Sequence, residues 1–232
     1  MIVFHHIPKT AGSSLNETIW EENKNTSLVI GSEGIISHKE KLNNTYKYIG
    51  GHFSYQEFIQ TTNYSNCNHI SILRHPLARI ISYFEMAYRD DEIVREEICR
   101  NDKWGKGFDI FYRRFIQQAN LLNIQCLYFS KHGKFYDAAK VIREKFCLVG
   151  TVRKFDALKS ILLDFYLENE GINIPASFPK RNISSKNENY LELISAKTLL
   201  AIENENLEDY DLYNWINEKY DGLYRSTTHG IF

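Results

Sequence analysis

The chain predicts an α/β domain with a central, mostly parallel sheet flanked by helices. Three observations carry this expectation. Short apolar runs of strand character at 2–7, 27–31, 47–51, 69–73 and 146–151 alternate with stretches of helical spacing, the pattern of a parallel sheet built from βαβ units. The 232 residues suffice for one such domain with a real core, and no Pro- or Gly-rich linker divides them, so residues 1–232 are expected to form a single domain. Apolar residues make up 43% and aromatic residues 14% of the chain, which is a globular composition and not a disordered one.

The first strand, Ile2-Val3-Phe4-His5-His6-Ile7, stops at Pro8. Lys9, Thr10, Ala11, Gly12, Ser13 and Ser14 follow, and helical spacing begins at Leu15, giving a helix over 13–22. A strand, a small-residue loop and a helix N-terminus make an anion site, because free backbone N–H groups and the positive end of the helix dipole point into it. Gly12 is expected to let the backbone approach the ligand, Ser13 and Ser14 to donate hydroxyls, and Lys9 to add a point charge. This is not a Walker loop, in which Gly-Lys-Ser/Thr closes the motif. Here the lysine precedes the glycine, and Thr10, directly after the lysine, sits ahead of the glycine turn. An ordinary βα loop is the competing reading, and the density of donors weighs against it.

Strand 27–31 leads through a polar segment to strand 47–51, which ends in a Gly pair followed by His52 and a short helix at 54–61. Strand 69–73 ends in Arg74-His75-Pro76, and a helix spans 77–88. Arg74 thus stands at the carboxyl end of a strand, where open α/β sheets bind ligands, and arginine suits bidentate phosphate recognition. Ser82, two turns into the helix, offers a hydroxyl. Taken alone, Arg74 also reads as a structural arginine. Arg89 to Lys106 holds eleven charged residues in 18 and reads as a solvated helix extension or loop, with a lid as the alternative. Phe108 to Phe129 reads as a core helix. After strand 146–151 a helix opens at 152–158, Pro179 to Lys186 is a basic polar loop, and 189–220 gives C-terminal helices with Tyr210, Tyr213 and Trp215 packing inward.

The two anion elements together describe a ligand with two separate phosphate-like groups, which a nucleoside substituted at 5′ and 3′ satisfies. At these residues the chain resembles a known family. His6 to Ser14 is similar to the 5′-phosphosulfate loop of carbohydrate sulfotransferases, and Arg74 with Ser82 is similar to their 3′-phosphate site; the pattern is most like that of the heparan and uronyl 2-O-sulfotransferases. The resemblance implies a P-loop-kinase-like sulfotransferase fold and 3′-phosphoadenosine 5′-phosphosulfate (PAPS) as co-substrate, held by Lys9, Thr10, Ala11, Gly12, Ser13, Ser14, Arg74 and Ser82. It also implies that the 179–186 loop closes over the nucleotide, with Asn182, Ser184 and Lys186 as contacts. The step at Val152 would then lie near the adenine. Sulfuryl transfer needs positive charge near the leaving oxygen, a role for Lys9, and a base for the acceptor hydroxyl. The family's His-x-Ser-Tyr pattern assigns the base to His52; His5, His6 and His75 are weaker rivals. His75 stands where the family often has Asp, and is expected to orient the turn.

No Asp/Glu/His cluster suggests a metal, and the reaction needs none. The acceptor is expected to be a carbohydrate, with a phenol, small alcohol or peptide as alternatives. A P-loop-type nucleotide kinase requires a Walker order and an acidic strand end that the sequence lacks, and a non-catalytic nucleotide-binding protein is expected to lack Lys9 or His52. A net charge of −1 gives no overall basic surface for a densely anionic polymer and no nucleic-acid partner. Cys67, Cys99, Cys126 and Cys147 match no zinc or redox spacing and read as free thiols. No membrane span or signal peptide is read ahead of the first strand. Animal relatives are anchored in the Golgi, so the expectation is a cytoplasmic, bacterial-type enzyme, or a lumenal one if the chain is a trimmed catalytic domain. The sequon Asn16-Glu17-Thr18 lies beside the anion loop, which favours the cytoplasm.

Overall fold

A strand buried at all four positions, β1 (Ile2–His5), forms the middle of the sheet. It pairs in parallel with β3 (Tyr48–Gly51) on one side and β4 (Asn68–Leu73) on the other, so that His5 stands opposite both Gly51 and Ser71. Outside β3 lies β2 (Ser27–Ile30), and outside β4 lies β5 (Phe146–Thr151), both parallel; β6 (Leu223–Arg225) closes the far edge antiparallel to β5. The order is β2-β3-β1-β4-β5-β6. These bounds come from a computed structural model that describes residues 1–42, 46–64, 66–167, 171–173 and 190–226.

The chain passes from β1 out to β2 at the edge, returns to β3 beside β1, then crosses to the other side of β1 to make β4. The carboxyl ends of β1, β3 and β4 therefore flank the point where strand order reverses, which is where doubly wound sheets bind ligands. Buried on both faces, the central strands read as near-continuous apolar runs, and that is why they were visible in the sequence.

The helices are α1 (Gly12–Glu22), α2 (Tyr55–Thr61), α3 (Pro76–Asp90), α4 (Glu92–Cys99), α5 (Phe108–Phe111), α6 (Ile124–Phe129), α7 (Phe135–Lys145), α8 (Phe155–Ile161), α9 (Tyr190–Leu193), α10 (Ala196–Glu205) and α11 (Leu207–Tyr220). Strand residues of one parity (Ile2, Phe4, Tyr48, Ile70, Ile72, Leu148) pack with Leu15 and Ile19 of α1 and Leu158 of α8. Those of the other parity meet α2, α6, α7 and α11. A second apolar cluster joins Phe84 of α3 to Val94, Ile98, Trp104, Phe108, Phe111 and Ile202. Among the described residues no helix is long and apolar enough to cross a membrane.

Three expectations need correction. Phe108–Phe129 is not one helix: α5 widens into looser turns over Tyr112–Gln117, and the chain reverses through Asn120 and Asn123, both at positive φ, before α6. The apolar spacing runs on across the break, which is fixed from elsewhere in the fold. Asp209 of α11 accepts hydrogen bonds from the Gln125 and Cys126 N–H groups and so caps α6, and the Asn123 side chain donates to the Glu205 carbonyl. The Arg89–Lys106 segment is more than a solvated extension. Asp91 caps a separate helix, α4, which buries Val94 and Ile98. On α11 the residues turned fully inward are Asp209, Leu212 and Ile216; Tyr210, Tyr213 and Trp215 are only half-buried.

Candidate active site

The loop after β1 is shaped by its backbone. Lys9 (φ 71°) and Ala11 (φ 67°) are both left-handed, although neither is glycine. Each costs about 1–2 kcal/mol, and such strain gathers at functional sites. Turns of this kind aim successive N–H groups into one anion-binding concavity. Thr10, between them, is fully buried, and its hydroxyl donates to the Ile7 carbonyl at 2.8 Å. Its side chain therefore closes the loop, and Thr10 does not line the cleft. Gly12 also differs from expectation. It begins α1, and a Cβ there would run into the rings of His6 and Phe4, so glycine is needed for packing beneath the loop.

A cleft of about 510 Å³ brings Lys9, Ala11, Ser13, Ser14, His52, Arg74 and Ser82 together at the switch point. Arg74 is tied down twice. Its Nη1 donates to the Lys9 carbonyl at 3.2 Å, and its backbone N–H donates to Gln125 Oε1 at 2.9 Å. One guanidinium thus links the two anion elements. Burial lowers the Lys9 pKa from its ordinary value, and the nearby Arg89 and Arg74 charges lower it further.

His6 and His52 emerge side by side from β1 and β3, the His6 N–H bonding the Gly51 carbonyl and the His52 N–H bonding the Ile30 carbonyl. Their rings stack with centroids 4.4 Å apart. His52 Nδ1 lies 2.9 Å from the His6 carbonyl, which can only accept, so Nδ1 carries the proton and Nε2 keeps a lone pair. His6 is buried, and burial first, then the charges of His52 and Lys9, hold its pKa well below the usual range. In the His-x-Ser-Tyr pattern only the histidine lines the cleft. Ser54 forms a capping box with Glu57 at the start of α2, and Tyr55 is buried edge-on to His69.

Of the rival histidines, His6 lines the cleft beside His52, and the other two lie elsewhere. His5 is fully buried, its Nε2 2.9 Å from His69 Nδ1. His75 meets Tyr210 and Tyr213 edge-on, a placement that suits orienting the turn after β4. Asn182, Ser184 and Lys186 lie outside the described residues. Val152–Lys154 makes a tight turn after β5, where Lys154 pairs with Asp221. Among the described residues no cluster of three His, Cys, Asp or Glu side chains is placed to hold a metal. The cleft wall also includes Ser32, Tyr83, Met86 and Tyr128, which sequence reading passed over. Met86 is one turn from Ser82 on α3, and that spacing was a usable signal; nothing local marks Tyr128, which α6 supplies.

A strained loop, an arginine bonded to it and a histidine with a free lone pair thus meet at the switch point of a parallel sheet. The chain belongs to the sulfotransferase family, whose model matches residues 1–216. Among solved structures it is similar to the crystal structure of mouse sulfotransferase SULT7A1 complexed with PAP, with a TM-score of 0.54 over 95% of this chain and 88% of that one. The two are 17% identical, so the likeness speaks for the fold. No curated protein matches the chain in sequence.

Proposed function

We propose that the protein transfers the sulfuryl group of PAPS to a hydroxyl, and that the acceptor is a carbohydrate. The observation that carries this reading is the single cleft that holds Lys9 and the α1 loop, Arg74 with Ser82, and the His52 ring. The loop N–H groups, Ser13 and Ser14 suit the 5′-phosphosulfate, and Arg74 and Ser82 suit the 3′-phosphate. That donor set is cationic or hydrogen-bonding at both ends, as a doubly anionic nucleotide requires. PAPS is a co-substrate in this reading, and no metal takes part.

The acceptor oxygen attacks sulfur while His52 Nε2 takes its proton, and the bond from sulfur to the bridging oxygen breaks. The electron pair leaves on the 5′-phosphate, where the Lys9 ammonium and the loop N–H groups receive the charge. The carbohydrate class, and within it a 2-O-type acceptor, rests on the His-x-Ser-Tyr likeness at His52. A cytoplasmic setting is kept as part of this proposal; Asn16 is buried with its amide 3.4 Å from His6 Nδ1, so it is not a glycan site in any compartment.

Transfer of labelled sulfate from PAPS is measured against a panel of glycans, phenols, small alcohols and peptides. The reading expects transfer to a glycan without added metal, and His52→Ala is expected to remove roughly 10²–10⁴-fold of it while leaving bisphosphate binding intact. A preference for a phenol, alcohol or peptide corrects the acceptor class. Phosphate transfer from ATP and Mg²⁺ in place of sulfate transfer makes the protein a kinase and overturns the proposal.

A further inference from the structure

Behind the cleft a chain of buried polar groups ends on the His6 ring. Tyr48 sits at the first position of β3, fully buried, and its hydroxyl donates to Asn16 Oδ1 at 2.6 Å. Burial pushes the Tyr48 pKa up, which keeps the phenol a donor. With its oxygen engaged, the Asn16 amide turns its NH₂ toward His6 Nδ1, 3.4 Å away. His6 is thereby held with the proton on Nε2. Its ring lies between Phe4, stacked at 5.6 Å, and His52, stacked at 4.4 Å. Two glycines keep this space open: a Cβ at Gly12 would strike His6 and Phe4, and a Cβ at Gly50 would strike Asn16 and Tyr48.

Such an arrangement is costly unless it is used. Four polar or aromatic side chains from β1, α1 and β3 are packed where an apolar core would cost nothing in desolvation. Of this series only His6 and His52 line the cleft; Tyr48 and Asn16 do not. The two contacts that orient His52 both come from His6, the carbonyl that accepts from Nδ1–H and the ring face it lies on.

We infer that Tyr48 and Asn16 are positioning residues for the base: they fix the tautomer of the His6 ring and, through its stacked face, the orientation of His52. This rests on the reading of His52 as the base, so the experiment separates the two. The full chain, labelled with ¹⁵N on histidine and saturated with adenosine 3′,5′-bisphosphate, is studied by long-range ¹H–¹⁵N correlation, with His52→Gln as the assignment control. The wild type is expected to show single tautomers, Nδ1–H for His52 and Nε2–H for His6. In Tyr48→Phe and Asn16→Leu the His6 ring is expected to move toward mixed tautomers and the His52 ring signals to shift with it, while His52 keeps its Nδ1–H on the His6 carbonyl. Sulfuryl transfer from PAPS to water, used as the acceptor probe, is expected to slow by about 10-fold or more. Bisphosphate Kd is expected to change less than about 2-fold, because neither Tyr48 nor Asn16 lines the cleft.

Unchanged tautomers and rates in both variants, with His52→Gln inactive, overturn the inference and leave His52 as the base. Losses that merely track a fall in bisphosphate affinity, with tautomers unchanged, overturn it as well. Full transfer to water by His52→Gln removes the base assignment and this inference with it. Should Asn16→Leu fail to fold, Tyr48→Phe, which deletes a single oxygen, carries the test alone.

Discussion

Replacing Arg74 with alanine probes both anion elements at once, and the structure separates the two effects. The guanidinium is half-buried and faces the cleft, where it is proposed to bind a 3′-phosphate. A hydrogen bond to a charged partner contributes about 1.5–3 kcal/mol, and each 1.4 kcal/mol is about tenfold in affinity. The same guanidinium donates to the Lys9 carbonyl at 3.2 Å. Losing that bond loosens the strained loop by about 1 kcal/mol, and this loss is common to every ligand that uses the loop. Isothermal titration calorimetry with two ligands isolates the terms. Adenosine 5′-phosphate, which lacks the 3′ group, should weaken by about 5-fold. Adenosine 3′,5′-bisphosphate should weaken further, by an additional factor of roughly 10–100, nearer 10 because the site is partly open to water. Equal losses for both ligands would refute the 3′-phosphate role and leave Arg74 as a brace for the loop.

Three further outcomes are expected. Lys9→Ala should slow sulfuryl transfer by about 10²-fold or more, the loss seen when one donor to developing negative charge is removed; inactivation of the wild type by a chelator, reversed by one divalent metal, would contradict the charge role given to the lysine. Gly12→Ala should destabilise the fold by about 1–3 kcal/mol, because its methyl group displaces the His6 and Phe4 rings; a melting temperature equal to that of the wild type in scanning calorimetry refutes this. Stability should also fall in acid. Burial, and then the neighbouring His69, hold the His5 pKa well below the ordinary 6.5, so the unfolded chain takes up a proton there before the folded one does. That stabilising contribution is complete above pH 6.5 and is lost as the pH falls through the folded-state value. His5→Phe should therefore flatten the acid side of the stability curve measured by urea denaturation from pH 8 to 5, and an unchanged slope excludes His5 as a source of the effect.

The parts legible in the sequence were those encoded locally. β1, β3, β4 and β5 showed as apolar runs because both faces of the sheet are covered, and the loop after β1 showed because an anion site at a helix N-terminus needs small residues and donors within a few positions. What escaped was set by partners far along the chain. The break between α5 and α6 depends on Asp209 and Glu205 meeting Asn123 and the first N–H groups of α6, and no count of apolar residues over 108–129 registers it. Tyr128 reaches the cleft only because that break turns α6 toward it. Ser54 and Tyr55 seemed to belong to a catalytic pattern, but cap formation and core packing account for both.

The loop motif carries two physical demands in one stretch of sequence. Lys9 and Ala11 must stay left-handed to point N–H groups at an anion, although left-handed backbone is unfavourable for both. That strain is held from two sides, by the Thr10 hydroxyl on the Ile7 carbonyl and by Arg74 on the Lys9 carbonyl. Three residues before Lys9, His6 must stay flat and neutral beneath His52, and Gly12, three residues after Lys9, must have no side chain so that His6 fits. A substitution at Gly12 is therefore felt first at His6 and through it at His52, and one at Arg74 first at Lys9. In both directions the disturbance passes through the backbone and rings of a single βα turn, so a change at Gly12 or Arg74 is expected to reach both the anion loop and the paired His6 and His52 rings.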